Sequence, residues 1–412
     1  MKISNQRTAV LVFAAFASAY FLSTLIRAIT ATLSPTLTQE FALNARDLGL
    51  LGGGYFLGFS LMQLPLGAWL DRFGPKRVIV CFLTVAVLGC LAFSLATSFW
   101  ALLAARVLCG VGVSACLMAP LTGYRRWFEP DTLMRANSWM LMTGSLGMVA
   151  STLPVQWLVP QFGWRPLFVG LALLVLVAAA WIAWQAPVWQ VAPASPANGD
   201  KVPTPRYAYV WANPYFRRMV PIGFFCYGGM VAVQTLWASP WMIKVAAFTP
   251  LQAATGLFWI NLVMLITYWV WGLINPWLSR RGLPAERLIA FGLPFSFLML
   301  AILLIVGDQI FSWAIVIFCI YFIACSFVSL AQPAVGMAFE PALAGRALSA
   351  YNLVIFSGVF AVQWGIGLAV DAFRSLGLPE VQALRLAMAV FLFCCIAAYL
   401  HFLKAKSHNQ PR

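Results

Sequence analysis

Apolar runs of about 20 residues, separated by short polar connections, recur along the whole chain. In a helix rising 1.5 Å per residue, such a run spans the roughly 30 Å hydrocarbon core of a bilayer. The pattern predicts twelve membrane helices, at roughly 8–33, 48–70, 78–96, 99–123, 137–158, 166–184, 218–243, 251–275, 288–306, 310–332, 349–371 and 385–403. One long polar interval, 185–217, holds the linker-like stretch Pro193-Ala194-Ser195-Pro196-Ala197-Asn198-Gly199-Asp200. The expected organisation is all-α and membrane-embedded: a six-helix bundle over 1–184, a linker over 185–217 and a second six-helix bundle over 218–412.

The two halves repeat one another. Phe128-Glu129-Pro130 with Arg135-Ala136 returns as Phe339-Glu340-Pro341 with Arg346-Ala347. Trp69-Leu70-x-Arg72-x-Gly74 returns as Trp277-Leu278-x-Arg280-x-Gly282, Val155-Gln156-Trp157 as Val362-Gln363-Trp364, and Ser34-Pro35 as Ser239-Pro240. The offsets stay between 205 and 211 and the order is kept. These matches use Glu, Arg, Trp, Gln and Pro, which chance alignment of Leu, Ala and Gly does not supply. Six helices per half make the repeat parallel, with a binding site expected between the halves near the midplane.

Composition supports the membrane reading: 62% of residues are hydrophobic and 9% charged, against about 25% charged in soluble domains. The formal charge of +15 matters through its placement. Nineteen Lys and Arg fall in one set of alternate connections, and only Arg46, Arg165, Lys244, Arg374 and Arg385 in the other. By the positive-inside rule the first set, both termini and the long linker are cytoplasmic. No single loop concentrates the charge, which argues against nucleic acid as a partner. Lys2 and Arg7 before an apolar stretch imitate a signal peptide, but the stretch is too long and eleven more follow. The nine cysteines lie inside predicted helices and both histidines lie at the C-terminal end, so no disulfide framework, metal site or cofactor is expected. Short loops without an Asn-x-Ser/Thr acceptor suit a bacterial inner membrane.

Between the second and third helices runs Gly67-Ala68-Trp69-Leu70-Asp71-Arg72-Phe73-Gly74-Pro75-Lys76-Arg77. It closely resembles the signature loop of the major facilitator superfamily, and Arg106-x-x-x-Gly110-x-Gly112 in the fourth helix resembles that family's second motif. The resemblance implies a solute carrier of twelve helices that works by alternating access. It also implies that the loop latches the cytoplasmic side shut when the cavity faces outward, its partner being the helix that begins near Ser349. Physically, Asp71 suits a helix N-terminus, and Arg72, Lys76 and Arg77 can pair with acids such as Glu129. Glu129, Arg135, Glu340 and Arg346 are the further gating candidates. Ser279 replaces Asp71 in the second copy, so a second latch is expected to be weaker or absent. The fifth helix carries Gly144-Ser145-Leu146-Gly147 instead of the Gly-Pro-x-x-Gly-Gly pattern of drug-proton antiporters.

Two ionisable residues, Arg27 and Arg106, stand well inside predicted helices, each expected about 10 Å below the outer end. All eleven acids fall in loops or at helix ends. An arginine eight residues before a proline, as in Arg27 and Pro35, is similar to the phosphate-binding position of organophosphate-phosphate antiporters. The corresponding position before Pro240 is Ala232, so that substrate class is not carried over. Arg106 is expected to act structurally or in coupling, and together with Arg27 to make the outer half of the cavity positive. Tyr20, Tyr55, Gln234, Trp237, Asn261, Tyr268, Tyr321, Asn352 and Gln363 interrupt apolar spans and are the remaining candidates for substrate contact.

The expected function is secondary active transport of a small anionic, carboxylate-bearing solute, with a coupling proton as a candidate second partner and the monomer as the working unit. The alternative within the family is a drug or metabolite exporter, which usually needs a membrane carboxylate for proton exchange. A non-transporting sensor is a third reading. An intramembrane enzyme would need His, Asp or Ser at depth, and no such constellation is present.

Overall fold

The computed structural model describes residues 6–189, 207–307 and 313–404. Lys2, Pro193 to Asp200, Lys201, Arg206, Asp308, Lys406, His408 and Arg412, all weighed above, lie outside the described residues. Among the described residues, twelve long helical rods cross the molecule. They are α1 Gln6–Phe41, α2 Ala45–Leu61 continued as Gln63–Phe73, α3 Pro75–Leu95, α4 Phe99–Trp127, α5 Pro130–Ala150 continued as Leu153–Phe162, and α6 Trp164–Gln185. The second six are α7 Pro214–Lys244, α8 Pro250–Arg280, α9 Ala285–Val306, α10 Ala314–Met337, α11 Pro341–Ser375 and α12 Glu380–Lys404. Ten are individually long and apolar enough to cross a membrane. The other two, α2 and α5, are interrupted at Met62 and at Ser151-Thr152.

Helix ends follow local chemistry. Asn44, Ser98 and Asn213 cap α2, α4 and α7 by accepting backbone N–H bonds, and Pro75, Pro130, Pro214 and Pro341 open helices where a missing N–H costs nothing. Glu129 and Glu340 occupy the same N-cap position before α5 and α11. The four glycines with left-handed φ, Gly74, Gly163, Gly282 and Gly377, follow α2, α5, α8 and α11. Each of the four sequence repeats thus falls on a helix and on the helix six further along.

One boundary differs from expectation in a way that moves a functional residue. The first helix does not stop before Pro35 but runs on to Phe41. Proline removes the N–H that would bond to the Ala31 carbonyl. The Ser34 hydroxyl donates to that carbonyl instead, at 2.8 Å. Arg27 therefore lies about 21 Å from the far end of α1, near the helix midpoint, instead of about six residues from that end.

Within each half, glycine lets backbones meet. A Cβ at Gly110 would lie 2.7 Å from the Tyr55 carbonyl carbon, and one at Gly228 would lie 2.8 Å from the Ile355 oxygen. The halves themselves touch most closely where the start of α2 meets the end of α11. A Cβ at Gly49 would lie 3.1 Å from the Gln363 carbonyl carbon and 3.2 Å from Trp364 Cα, and one at Gly367 would lie 2.8 Å from the Ala45 carbonyl carbon. The Asp371 carboxylate accepts from the Ala45 and Arg46 N–H groups at 3.3 and 2.8 Å, so α11 caps α2 across the seam. This end of the molecule, opposite the arginine-rich loops, is the far end; the other is the basic end.

At the basic end the start of the linker is fastened to the first half. Lys76 Nζ donates to the Ala186 carbonyl at 2.9 Å. The Trp189 ring packs on Gly74, where a Cβ would lie 2.7 Å from Trp189 Cδ1, and Arg126 lies 4.1 Å from the same ring. Within the expected linker, a short helix Tyr207–Ala212 precedes α7, and the Tyr207 hydroxyl donates to the Leu64 carbonyl at 3.4 Å.

Candidate functional site

A cavity of about 600 Å³ lies between the halves. On α5 its lining runs from Ser138 to Met148 and on α8 from Asn261 to Leu273, the portions nearer the basic end. The space therefore lies toward the basic end, while the seam of α2 and α11 closes the far end. The helices around it depart from regular α geometry where they face it. Two π segments, Ile222–Tyr227 and Val233–Trp237, place Tyr227 and Gln234 on the cavity, and a 3₁₀ stretch, Ser326–Leu330, places Ser329 there.

Arg27 is the one charged residue among the described residues that line the cavity. Its guanidinium carbon sits 5.4 Å from the Phe59 ring and 5.7 Å from the Phe356 ring, one ring from each half, with 4.4 Å between their centroids. Its Nε is buried without a hydrogen-bond partner. No described lining residue is a carboxylate. The guanidinium thus rests on two apolar faces with the Tyr55 hydroxyl beside it, and no described lining residue supplies a counter-charge.

Arg106 does not share that role. It is fully buried beside the Tyr55 and Phe93 rings, and Nη1 donates to the Ile26 carbonyl at 3.0 Å. It lies at the level of Arg27, as expected, but ties α4 to α1 behind the cavity wall. Arg106 is therefore no lining residue, and its charge stands behind the α1 wall beside Arg27.

Of the candidates read from sequence, the structure brings Tyr20, Arg27, Gln234, Asn261, Tyr268 and Asn352 to the lining. Four others face the protein instead. The Tyr55 hydroxyl donates to the Ser23 carbonyl at 3.3 Å. Trp237 Nε1 donates to the Gln363 carbonyl at 3.0 Å, and Gln363 Nε2 donates to the Thr235 hydroxyl at 3.0 Å. Tyr321 is buried against Phe322. The Tyr55 and Trp237 donors and Gln363 Nε2 thus find partners on neighbouring helices, while Gln363 Oε1 is buried without one. Sequence reading missed Gln63, Tyr227 and Gln332. Gln332 was the last residue of an expected helix that runs on to Met337, which hid its central position.

The gating candidates gather at the basic end. Asp71 is exposed and makes no hydrogen bond or ion pair to described residues; Arg77 is exposed too. Arg72 lies 5.1 Å from the Phe73 ring. Lys76, expected to meet an acid, holds the Ala186 carbonyl instead, because that helix end offers unpaired acceptors directly beside it. A side chain at Gly67 would meet open space, so its lack of a Cβ is not needed in this conformation. Glu129, Arg135 and Glu340 are exposed, while Arg346 is half-buried.

Twelve membrane helices in two repeated halves around a central cavity define a membrane carrier. The chain belongs to the major facilitator superfamily, whose family model matches residues 16–363. Among curated relatives, the probable sulfoacetate transporter SauU of Cupriavidus necator is 24% identical over 57% of this chain and 57% of its own length. The 4-hydroxybenzoate transporter PcaK of Pseudomonas aeruginosa is 30% identical over 40% of this chain and 37% of its own. The multidrug resistance protein MdtH of Klebsiella pneumoniae is 26% identical over 79% of this chain and 78% of its own. The chain thus spans about half, or less, of the first two of these relatives. In fold it resembles a bacterial homolog of the human lysosomal transporter Spinster, solved inward-facing and unoccupied, with a TM-score of 0.79 at 16% identity over 99% of this chain and 100% of that one.

Proposed function

We propose that this carrier moves a small organic anion by alternating access, and that Arg27 holds the anionic group. The observation that carries the reading is the lone guanidinium in a lining without acid. A charge at mid-membrane depth is costly unless hydrated or paired, and an anionic solute supplies the pair. The planar guanidinium fork suits a carboxylate or sulfonate, which can take two parallel hydrogen bonds. Because Phe59 and Phe356 come from opposite halves, a solute at Arg27 touches both and is placed where their relative motion passes it from one side to the other. Two of the relatives above are named for anionic solutes, in keeping with this reading.

The residence we propose is a bacterial inner membrane, with the basic end cytoplasmic, the monomer as the working unit, and the conformation described here open to the cytoplasm. In the opposite conformation the signature loop closes the basic end, with Asp71 against the start of α11. The lining offers no carboxylate or histidine, so any coupling proton travels on the solute or through groups outside the cavity. The aromatic lining and the long match to MdtH favour a drug exporter as the second reading. The test is a stabilisation screen of anions against cations on the purified protein. Anions should stabilise the wild type, Arg27→Lys should weaken the effect and Arg27→Ala should remove it. Stabilisation by cations, or by anions regardless of Arg27, would transfer support to the exporter.

A further inference from the structure

The lining carries a second pole. Along the cavity wall formed by α7, α8, α10 and α11, two amide pairs join helices of the second half. Gln234 Nε2 on α7 donates to Asn261 Oδ1 on α8 at 2.9 Å, and Asn261 Nδ2 donates to the Leu257 carbonyl at 2.8 Å. Gln332 Nε2 on α10 donates to Asn352 Oδ1 on α11 at 2.6 Å. These bonds leave Gln234 Oε1, Gln332 Oε1 and Asn352 Nδ2 without a partner among the described residues, and all four side chains line the cavity. Each pair holds its amides fixed and offers the remaining atoms inward. The unspent set contains acceptors and a donor, and no formal charge.

Accepting Arg27 as the anion contact, on which this step rests, we infer that the substrate carries a single anionic group and, at its other end, a neutral group that both donates and accepts hydrogen bonds, such as a hydroxyl or amide. A hydroxyl has one donor and two acceptor positions, so it can give its proton to a glutamine carbonyl while accepting from the Asn352 amide. An ammonium has three donors and no acceptor and finds no carboxylate in the lining. A second carboxylate finds no second cation. The site thus selects against zwitterions and dianions by what it lacks. The anionic pole belongs to the first half and the two amide pairs to the second, the first half adding the single amide of Gln63, so a solute carrying both groups engages the two halves together.

The test uses four rigid acids of one shape: trans-4-methylcyclohexanecarboxylate, its 4-hydroxymethyl and 4-aminomethyl counterparts, and trans-cyclohexane-1,4-dicarboxylate. Their affinities are measured by calorimetry on the purified full chain. The hydroxymethyl acid should bind about tenfold more tightly than the methyl acid, the return of one or two added hydrogen bonds, and the other two more weakly than either. Replacing a whole pair leaves no orphaned amide. In Gln332→Leu with Asn352→Leu, or in Gln234→Leu with Asn261→Leu, the preference for hydroxymethyl should fall toward parity while the methyl acid binds as before. Loss in one or both double variants supports the assignment. It is overturned if the aminomethyl acid or the dicarboxylate matches the hydroxymethyl acid, if the preference survives both double variants, or if none of the four binds. Arg27→Gln separates the two ideas: it should weaken all four acids, and unchanged affinities there would sink the anion reading itself.

Discussion

Replacing Gly49 with alanine puts a methyl group into the seam that holds the far end shut. Its Cβ would lie 3.1 Å from the Gln363 carbonyl carbon and 3.2 Å from Trp364 Cα, with the carbonyl oxygen closer still. Those are backbone atoms of a helix and cannot turn aside as a side chain could. Overpacking of this kind costs about 1–3 kcal/mol. The cost falls only on the conformation in which α2 and α11 meet there, because Gly49 and Gln363 belong to different halves. The gain of about 1 kcal/mol in helix propensity applies to both conformations and cancels. The balance should therefore move by roughly 5–150-fold toward the state with the far end parted. Spin labels on Phe162 and Leu251, exposed at the far ends of α5 and α8, should report a longer separation by pulsed dipolar spectroscopy. Gly110→Ala is the control, since its clash with Tyr55 lies within one half and should lower thermal stability without redistributing distances. If Gly49→Ala left the distance distribution as in the wild type, or altered it only as Gly110→Ala does, the seam would not govern the conformational balance.

Asp71→Asn should act in the opposite sense. The residue is unpaired among the described residues and, in the cycle proposed above, meets a helix N-terminus only when the basic end closes, so its loss should favour the present conformation by about 0.3–1 kcal/mol, read as greater reactivity of cysteines placed on the basic half of α5. Arg106→Ala should lower the melting temperature more than Arg27→Ala, whereas Arg27→Ala should cost more anion affinity; the reverse ranking would undo the division between wall and cavity. A cysteine replacing Leu376, exposed at the far end, should react with an impermeant reagent added outside cells, and one replacing Arg281 should not.

The span pattern and the repeat were readable because bilayer thickness and glutamate, tryptophan and proline spacings are written directly in the chain. The level of Arg27 was not, since it depended on Ser34 standing in for the N–H that Pro35 lacks. Nor could sequence sort the polar residues of the apolar spans. Gln363 and Asn352 sit eleven residues apart on one helix, yet the first is consumed by Thr235 and Ala232 while the second faces the cavity. That division depends on which neighbouring helix presents a partner, a property of the packed structure. Likewise, the motif spacing of the signature loop identified the family but gave no sign that Lys76 would hold a helix end instead of an acid.

The fastening of Trp189 against Gly74 and Arg126 makes the segment that follows α6 ride with the first half as one body. The helix Tyr207–Ala212, which precedes α7, is tied to the same half by the long bond from the Tyr207 hydroxyl to the Leu64 carbonyl. Any rocking of the bundles that carries that helix with α7 must stretch or break this bond, so it acts as a weak brake on leaving the present conformation.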